Sequence, residues 1–416
     1  MDVLLLRALL ACAGSERVDE PDATEVPEAS PVNADPAVRE LASARMVFTG
    51  DFLPHGRVLQ SAHDADVVED GVSQNHGGFD VVFGGVADQV ALADLAFLNL
   101  ETPVAPAPRR GTWDMVFNAP PAVVTSLAAI GFDVVSFSNN HVYDQGRAAF
   151  VETMDRLDDA SLAYVGAGRT CAEAYGPRWF ELDGIRIAMF AGTEVLNDSL
   201  NRGDDEACVS VLEPDRVLAG VAQARADGAD LVLVSIHWGV EYDTAPQERQ
   251  IRIAHRLVDG GVDGIIGHHP HVLQPIEVYD APDGRRGVIV YSLGNFVSNQ
   301  SAWYEPGLHA ADQGNPRDGV VLSMRAVKRR FGRGDHQVVR TELADIVATP
   351  MWTVNEDRDD QVVLRVVPTR ARMATLDEAL AQATADDDVV RLSRERTEMD
   401  TRWRIVGDIL GRQFLW

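Results

Sequence analysis

The sequence predicts an α/β protein built on a largely parallel sheet that is buried on both faces. Two observations predict this class. Along residues 44–300, short apolar runs typical of buried strands alternate with stretches of helical periodicity. Polar side chains recur where these runs end, as Asp51 does after the run 45–50 and His237 after the run 231–236. Because ligands of open α/β sheets bind at the carboxyl ends of the strands, the second observation also predicts where a functional site lies.

Local patterns predict the individual elements. A helix is expected over 120–130, because proline opens the segment and Gly131 closes it. The pair Asp183-Gly184 between two apolar runs predicts a hairpin. Further strands are predicted over 95–100, 133–138, 179–182, 185–190, 262–266 and 287–292, and further helices over 81–93, 214–227 and 247–258.

The pattern changes after about residue 300, where strand-like runs follow one another without helices between them. These runs are 319–327, 337–343, 346–352 and 361–367. Two helices, around 376–385 and 388–411, are predicted to close the chain. We therefore expect residues 301–416 to complete a second sheet, packed on the first, and an outer layer.

The N-terminal residues predict an exported protein of the cell envelope with a lipid anchor. Residues 1–12 resemble a bacterial lipoprotein signal in which Cys12 would carry the lipid, although Arg7 interrupts the apolar segment. Residues 13–43 are rich in acidic residues, proline, alanine and serine, and they predict a disordered tether, with order beginning at about Ala44. The alternative is a terminus without function, which would leave the protein in the cytoplasm.

Composition argues against several classes of function. The chain has 64 acidic and 37 basic residues, a net charge of −27, which disfavours binding to nucleic acid or anionic membranes. Its three cysteines form no Cys-x-x-Cys pair, so neither a zinc ribbon nor a thioredoxin-like motif is indicated. Cys171 and Cys208 are compatible with a disulfide in an exported protein or with two separate buried thiols. The sequence also lacks a Gly-x-Ser-x-Gly motif and a phosphate-cradling glycine loop.

The stretch 267–271 concentrates the candidate metal ligands. His269 and His271 are alternate residues and can face one space, whereas His268 is out of phase and is expected to face away. Imidazole is the commonest metal-binding side chain, but on this motif alone a polar loop is an equal alternative. Other strand ends add oxygen and nitrogen donors, a set that suits one or two divalent transition metals. These donors are Asp51 with His55 four residues on, Glu101, Asn140 with His141, and His237.

Six motifs occur in order along residues 44–300. They are Gly50-Asp51, Asn99-Leu100-Glu101-Thr102-Pro103, Asn139-Asn140-His141, His237-Trp238-Gly239, Gly267-His268-His269-Pro270-His271 and Gly294-Asn295-Phe296. Together they resemble the bacterial capsule synthesis proteins of the CapA type, which are linked to poly-γ-glutamate capsules. That family is related to the calcineurin-like metallophosphoesterases. The relationship implies a four-layer α/β/β/α sandwich of the metallo-dependent phosphatase type with a dinuclear metal site.

The resemblance implies a role for each residue at a strand end. His141 would protonate the leaving group, and Asp144 is the nearest residue in sequence that could set its tautomer. The chain departs from the superfamily twice, because the first motif is Asp51-x-x-x-His55 rather than Asp-x-His and because Glu101 stands where an aspartate bridges the metals. His55 is therefore a doubtful ligand. The implied ligands of two divalent ions (Mn, Fe or Zn) are Asp51, Glu101, Asn140, His237, His269 and His271.

The leading hypothesis is a metal-dependent, hydrolase-type protein of the cell envelope that acts in capsular polymer synthesis, export or anchoring. Its bond would be a phosphoester or an amide, and its substrate an anionic polymer or another envelope component. Other capsule-synthesis membrane proteins are expected partners, nucleic acid is not, and a membrane would be met only through the lipid anchor. The alternative is a non-catalytic polymer-binding or scaffold component with a degenerate metal site. The candidate substrate-binding residues are Glu241, Tyr242, Asn295 and Arg109.

Overall fold

The chain alternates strands and helices up to about residue 300 and then continues in long strands and two helices. A computed structural model describes residues 38–108, 115–333 and 336–416. In chain order its strands are β1 (Val38–Phe52), β2 (Val68–Glu69), β3 (Val72–Ser73), β4 (Leu95–Leu100), β5 (Val134–Ser136), β6 (Ala163–Val165), β7 (Ala167–Gly168), β8 (Arg178–Leu182), β9 (Ile185–Thr193), β10 (Cys208–Val209), β11 (Leu231–His237), β12 (Gly264–His268), β13 (Leu273–Asp280), β14 (Arg286–Leu293), β15 (Asn295–Val297), β16 (Asp318–Phe331), β17 (Val338–Arg358) and β18 (Gln361–Pro368). Its helices are α1 (Gly56–Ala65), α2 (Phe79–Phe83), α3 (Ala87–Ala91), α4 (Ala122–Ile130), α5 (Gly146–Asp159), α6 (Cys171–Tyr175), α7 (Pro214–Ala226), α8 (Glu248–Asp259), α9 (Thr369–Gln382) and α10 (Asp386–Leu410).

Two mixed sheets form the centre of the protein. The first has the order β18-β17-β16-β1-β4-β5-β6, with β15 paired to β1. Its strands β1, β4, β5 and β6 are parallel, whereas β16, β17 and β18 run antiparallel to their neighbours. The second sheet has the order β13-β14-β12-β11-β9-β8, with β14, β12, β11 and β9 parallel and the two edge strands antiparallel.

Side-chain alternation along the strands produces four layers. In β1, Met46 and Phe48 pack against the second sheet, whereas Val47 packs against the helices α1 to α5 on the other side. In β11, Leu233 belongs to the core between the sheets, and Val234 packs with α7 and α8. Each sheet is therefore buried on both faces, which is what continuous apolar strands require. This confirms the predicted α/β/β/α sandwich.

The C-terminal strands extend the first sheet. β16 pairs antiparallel with β1 from Val38↔Phe331 to Phe48↔Leu322. The expectation that residues after 300 form the second sheet was therefore wrong, because that sheet is built from β8, β9 and β11 to β14. The two strands predicted over 337–343 and 346–352 form the single strand β17. Asp345, with a φ of 50°, and a register shift against β16 accommodate the sequence break between them.

Two other boundaries differ from the sequence-based expectation. β1 begins at Val38, so residues 38–43 pair in a sheet rather than belonging to the tether. The helix predicted over 81–93 is divided into α2, a 3-10 turn (Gly84–Val86) and α3. At Gly85 a side chain would meet the carbonyl oxygen of Val366 in β18, so the backbone packs closely there. Cys12, which was predicted to carry a lipid, residues 13–37 of the predicted tether and Arg109 lie outside the described residues.

Cys171 and Cys208 form a disulfide that joins α6 to β10, with their Cα atoms 5.0 Å apart. The structure therefore resolves the two alternatives for these cysteines in favour of pairing. Within 38–108, 115–333 and 336–416, no helix combines the length and the apolar character needed to cross a membrane.

Candidate metal centre

The predicted ligands meet where the carboxyl ends of strands from both sheets come together. Asp51 lies in β1, Glu101 follows β4 and Asn140 follows β5 in the first sheet. His237 ends β11, and His269 and His271 follow β12 in the second sheet. All six side chains are at most 5% exposed. Six polar groups from distant parts of the chain are thus buried together, which is costly unless they bind one another or a ligand.

Asp51 accepts hydrogen bonds from several groups at once. One carboxylate oxygen lies 2.9 Å from Asn99 Nδ2 and 3.0 Å from His268 Nδ1. The other lies 3.2 Å from both the backbone N of His269 and the Nδ1 of His271. The expectation that His268 faces away was wrong: it lies in the same face of β12 as Ile266, which packs between the sheets, and so it points at Asp51.

Glu101 lies between two groups of potential ligands. Its Oε1 is 3.5 Å from His237 Nε2 and 3.8 Å from His271 Nε2, and it has no hydrogen-bond partner within the described ranges. Glu101 belongs to both groups: one also contains His269 and His271, and the other contains Asp51 and His237. Within each group the donor atoms lie within 4.8 Å of one another. A carboxylate shared by two groups is what a dinuclear site requires.

Buried polar atoms that have no hydrogen-bond partner indicate whether divalent ions fit here. Glu101 Oε1, His269 Nδ1 and His271 Nε2 are buried and lack any partner among the described residues. His237 Nε2 also lies 2.9 Å from Asn140 Oδ1, a spacing compatible with a hydrogen bond or with two ligands of one ion. Oxygen and imidazole donors without sulfur suit Mn, Fe or Zn, so the residues present fit such ions.

Burial and neighbouring charges shift the pKa values of these groups in different directions. Burial would raise the pKa of Asp51, but the hydrogen bonds and charges of His268 and His271 outweigh it and hold that pKa well below 3.8. Burial, followed by the charges of Asp51 and Glu241, raises the pKa of Glu101 well above 4.5. Without a cation, the ionised form of Glu101 is thus disfavoured beside Asp51. A bound cation would favour the ionised form instead.

The two flanking imidazoles stay neutral. Burial lowers the pKa of His269 to about 4, and the charge of His271 adds to this shift. Burial and the charge of His269 lower the pKa of His237 well below 6.5. Since only a neutral imidazole can bind a metal, these two side chains need lose no proton at pH 7 to serve as ligands.

His141 and Asp144 form a pair beside the ligand groups. Asp144 Oδ2 lies 2.8 Å from His141 Nδ1 and also accepts a hydrogen bond from the backbone N of Phe117 at 2.6 Å. The Nε2 of His141 is buried and has no partner among the described residues. Sequence reasoning missed Asn197, whose Nδ2 lies 3.5 Å from His141 Nδ1 and which no motif marks. It also missed the roles of Asn99 and Asn139, although both lie inside quoted motifs.

Comparison with known proteins identifies the family. Residues 45–300 match the family described as bacterial capsule synthesis protein PGA_cap. The chain belongs to this family. It is 30% identical over 337 residues to the capsule biosynthesis protein CapA of Bacillus anthracis, which covers 77% of this chain and 78% of that protein. These matches confirm the family that the six motifs predicted.

Two further proteins are similar over different shares of their length. The PGA biosynthesis protein CapA of Bacillus subtilis (strain 168) is 36% identical over 178 residues, 42% of this chain and 45% of that protein. The calcineurin-like phosphoesterase YfkN from Bacillus subtilis is similar in structure, with 10% identity and a TM-score of 0.37 over 87% of this chain and 99% of that chain. A structural likeness at this level says nothing about activity.

The remaining predicted site residues have different surroundings. His55 packs its ring 5.0 Å from that of Phe117, accepts a hydrogen bond from the backbone N of Asn299, and lies in neither ligand group. Asn295 Oδ1 lies 3.1 Å from His271 Nδ1, and its Nδ2 donates to three other oxygens, so in this structure it positions His271. A direct contact of Asn295 with substrate stays a prediction.

A cavity of about 580 Å³ opens beside His271. Tyr242 lines it, about half exposed, with its ring centre 6.3 Å from that of His271 and its hydroxyl accepting a hydrogen bond from Gln300 at 3.1 Å. Trp303 and Asp312 line the same cavity. Val272, which follows His271 in the chain, also lines it, so the cavity lies next to the ligand groups. Glu241 acts on the centre through its charge on Glu101.

Proposed function

We propose that this protein is a metal-dependent hydrolase of the cell envelope that cleaves a phosphoester or amide bond during the synthesis, export or anchoring of a capsular polymer such as poly-γ-glutamate. One observation carries the hydrolase part: two buried ligand groups share Glu101 and adjoin the pair of His141 and Asp144. Membership in the capsule synthesis family supports the polymer part.

Two divalent ions fit the donor set, held by Asp51, Glu101, Asn140, His237, His269 and His271. When bound, such ions polarise a phosphoryl or carbonyl oxygen and make water more acidic. The chain itself keeps Asp51 ionised through its hydrogen bonds with His268 and His271. Nδ1 of His271 lies 3.1 Å from Asn295 Oδ1 and 3.2 Å from Asp51 Oδ2, two acceptors that favour the proton on Nδ1 and leave Nε2 free to bind a metal.

His141 is the group that can transfer a proton. Asp144 accepts the proton on Nδ1, so Nε2 is the ring nitrogen that can exchange a proton with a leaving oxygen or nitrogen. The ring of Phe117 packs against that of His141 at a centroid distance of 4.6 Å, and His141 is fully buried. In this proposal Asp144 is a positioning residue and His141 is the general acid.

The disulfide supports an extracytoplasmic location. Disulfides persist in oxidising compartments and are rare in the bacterial cytoplasm. Cys171 and Cys208 are paired, which suits export to the cell envelope. The lipoprotein signal at Cys12 is the proposed route, and labelling of Cys12 with a fatty acid in cells would test it.

A second candidate function is a non-catalytic polymer-binding component of the envelope. The observation that favours it is that protein groups surround Asp51: its two oxygens accept three hydrogen bonds, and one of them also lies 3.2 Å from His271 Nδ1. His55 also lies outside both ligand groups. In this alternative the buried polar cluster would stabilise the fold without binding an ion.

Metal content and a matched pair of variants distinguish the two candidates. We expect the protein reconstituted with Mn, Fe or Zn to hold about two ions per chain and to hydrolyse a phosphodiester or a γ-glutamyl amide. His141→Ala should keep the ions and lose about 100-fold or more of the rate. His255→Ala, which removes a histidine paired with Glu277 far from the site, should behave as wild type. A protein that retains no divalent ion, or an active His141→Ala variant, contradicts the hydrolase proposal.

A further inference from the structure

Another cavity lies in the C-terminal region, between β17 and α10. Its volume is about 240 Å³, and its wall includes Arg317, Trp352, Arg391 and Arg394. None of these residues belongs to the ligand groups around Glu101. The proposed hydrolysis therefore leaves the cavity without a role.

Arg317 stands out in this wall because it is a buried cation that forms no ion pair with a carboxylate in the part of the chain that the structure describes. It is 8% exposed, and its guanidinium lies 4.3 Å from the centre of the Trp352 ring. Its Nε and Nη2 donate to the carbonyl oxygen of Thr353 at 2.9 and 2.8 Å, and its Nη1 has no partner among the described residues. Burial lowers the pKa of Arg317 to about 10, although the charge of Asp318 opposes the shift. The cost of burying this cation is thus only partly offset.

The acidic groups around the cavity are already engaged with other residues. Each makes a hydrogen bond or ion pair with a group other than Arg317, so none supplies the missing acceptor for Nη1. The pairs are Asp318 with Arg402, Glu398 with Tyr304, Glu395 with Arg372, and Glu356 with Arg358.

Two further cations stand at the exposed end of the cavity. Arg391 and Arg394 both project from α10 and are exposed. Arg391 makes one exposed ion pair, with Asp388 at 3.1 Å, and Arg394 makes none with any residue in the described ranges. Three guanidinium groups therefore line one small cavity in a chain whose net charge is −27. Glu356, Glu395 and Glu398 also line the cavity, but each is paired with another residue, so the guanidinium groups are the charges left to meet a ligand, and they favour an anion.

We propose that this cavity binds an anionic oxygen group, a carboxylate or a phosphate, through Arg317, with Arg391 and Arg394 at its rim. An anion would give Nη1 of Arg317 a charged acceptor, and the planar guanidinium fork matches the geometry of both groups. The bound anion would then neutralise the buried guanidinium of Arg317, which otherwise has acceptors for only part of its N–H groups.

The position of the cavity connects it with the metal centre. The 3-10 turn Ala311–Arg317 lies between the two cavities, because Asn315 and Pro316 line the one beside His271 and Arg317 lines the other. A chain with repeated carboxylates bound at the metal centre could therefore extend along the turn to Arg317. This part of the inference rests on the proposed function, whereas the anion site itself does not.

Calorimetric titration of the EDTA-treated full chain at low salt tests the site without the metal centre. The probes are a γ-linked glutamate pentamer, its uncharged γ-linked glutamine analogue, and inorganic phosphate. Arg317→Gln should weaken binding of the anionic probe about tenfold or more, since a charge-assisted hydrogen bond is lost. The control variant Arg252→Gln removes an exposed arginine of α8 and should change the affinity less than about twofold.

A second variant guards against misfolding, because Arg317 is buried. Arg391→Gln/Arg394→Gln changes only exposed side chains and should weaken binding about threefold or more. If the pentamer binds and its binding depends on these arginines, the result supports the site with a polymer as the source of the anion. If only phosphate binds and its binding depends on them, the result supports the site with a small anion as its ligand. Unchanged affinity in both variants, or equal binding of the uncharged analogue, overturns the inference. Metal content measured separately decides the proposed function, so the two can fail independently.

Discussion

Asp51 shows how neighbouring residues prepare one side chain for an ion. Its carboxylate oxygens accept hydrogen bonds from Asn99, His268 and His271, and these hold its pKa low in spite of burial. Glu101, next to it, lacks such donors on Oε1 and has a raised pKa. Two carboxylates in one pocket thus differ in charge because their hydrogen bonds differ.

His269 provides a pH-dependent prediction for the metal-free protein. Its pKa is about 4 in the folded state and 6.5 ordinarily, so between these values the unfolded chain binds the extra proton. The contribution of His269 to the free energy of unfolding should therefore be greatest above pH 6.5. It should fall as the pH drops toward 4, by about 3 kcal/mol at most. Urea unfolding of EDTA-treated protein at several pH values measures the slope.

Comparison with variants isolates the contribution of His269, since the raised pKa of Glu101 gives a slope of opposite sign. His269→Asn cannot take up the proton and should reduce the slope between pH 4 and 6.5, whereas the slope of the same sign that comes from the lowered pKa of His237 remains. His63→Asn, at an exposed position of α1, is the control and should leave the slope as in wild type. A profile for His269→Asn as steep as that of wild type contradicts the prediction.

Most of the candidate ligands that the structure brings together could be identified from the sequence, and the wrong expectation for His268 has a physical cause. The alternation rule places His268 opposite to His269 and His271 only while the chain stays extended. β12 ends at His268, and His269 and His271 have left-handed φ angles of 97° and 58°. The turn therefore brings all three imidazoles to the same pocket. Asn197 could not be predicted, because nothing in its local sequence indicates that its loop reaches His141.

At the level of the elements, close approach between strands decides where the ligands lie. A side chain at Gly267 would come within 1.9 Å of the carbonyl oxygen of Tyr291 in β14, and one at Gly50 within 2.0 Å of that of Gly294. Both glycines directly precede residues of the site. The strands that carry Asp51 and His268 can approach their neighbours only because these positions lack a side chain.

Gly267→Ala should therefore damage both stability and metal binding. The added methyl group meets backbone atoms that cannot rotate away, and overpacking of this kind costs about 2–3 kcal/mol. We expect a lower free energy of unfolding in urea and fewer bound ions per chain. Gly56→Ala is the matched control, since a side chain at the start of α1 meets no atom within 4 Å, and it should change stability by less than about 1 kcal/mol. Wild-type stability in Gly267→Ala would contradict the close packing described here.

Elements were predicted best where the local sequence pattern determines them and worst where pairing between distant strands determines them. The helix at 120–130 and the hairpin at Asp183-Gly184 were recognisable from single residues, and the structure has α4 and the β8–β9 hairpin there. The sheet that the C-terminal strands join depends on pairing between β16 and β1, far apart in the sequence. No local pattern contains that information.

At the scale of the whole molecule, the candidate centre lies across the interface of the two sheets. Asp51, Glu101 and Asn140 belong to segments of the first sheet, and His237, His269 and His271 to segments of the second. The four-layer arrangement could be predicted only through the family resemblance, because alternation of strands and helices is equally compatible with a single sheet. The candidate metal centre and the core between the sheets are thus parts of one interface.

Bound metal should therefore stabilise the whole molecule by linking the two sheets. A ligand at 100 times its dissociation constant adds about 2.7 kcal/mol to the free energy of unfolding. We expect the melting temperature to rise by a few degrees on reconstitution and to fall again with EDTA, as measured by scanning calorimetry. In His269→Ala the metal-dependent increase should shrink, because a ligand from the second sheet is lost. In Arg252→Gln, an exposed change on α8, it should stay as in wild type. A melting temperature that does not respond to metal in the wild-type protein would mean that the buried cluster joins the sheets without an ion.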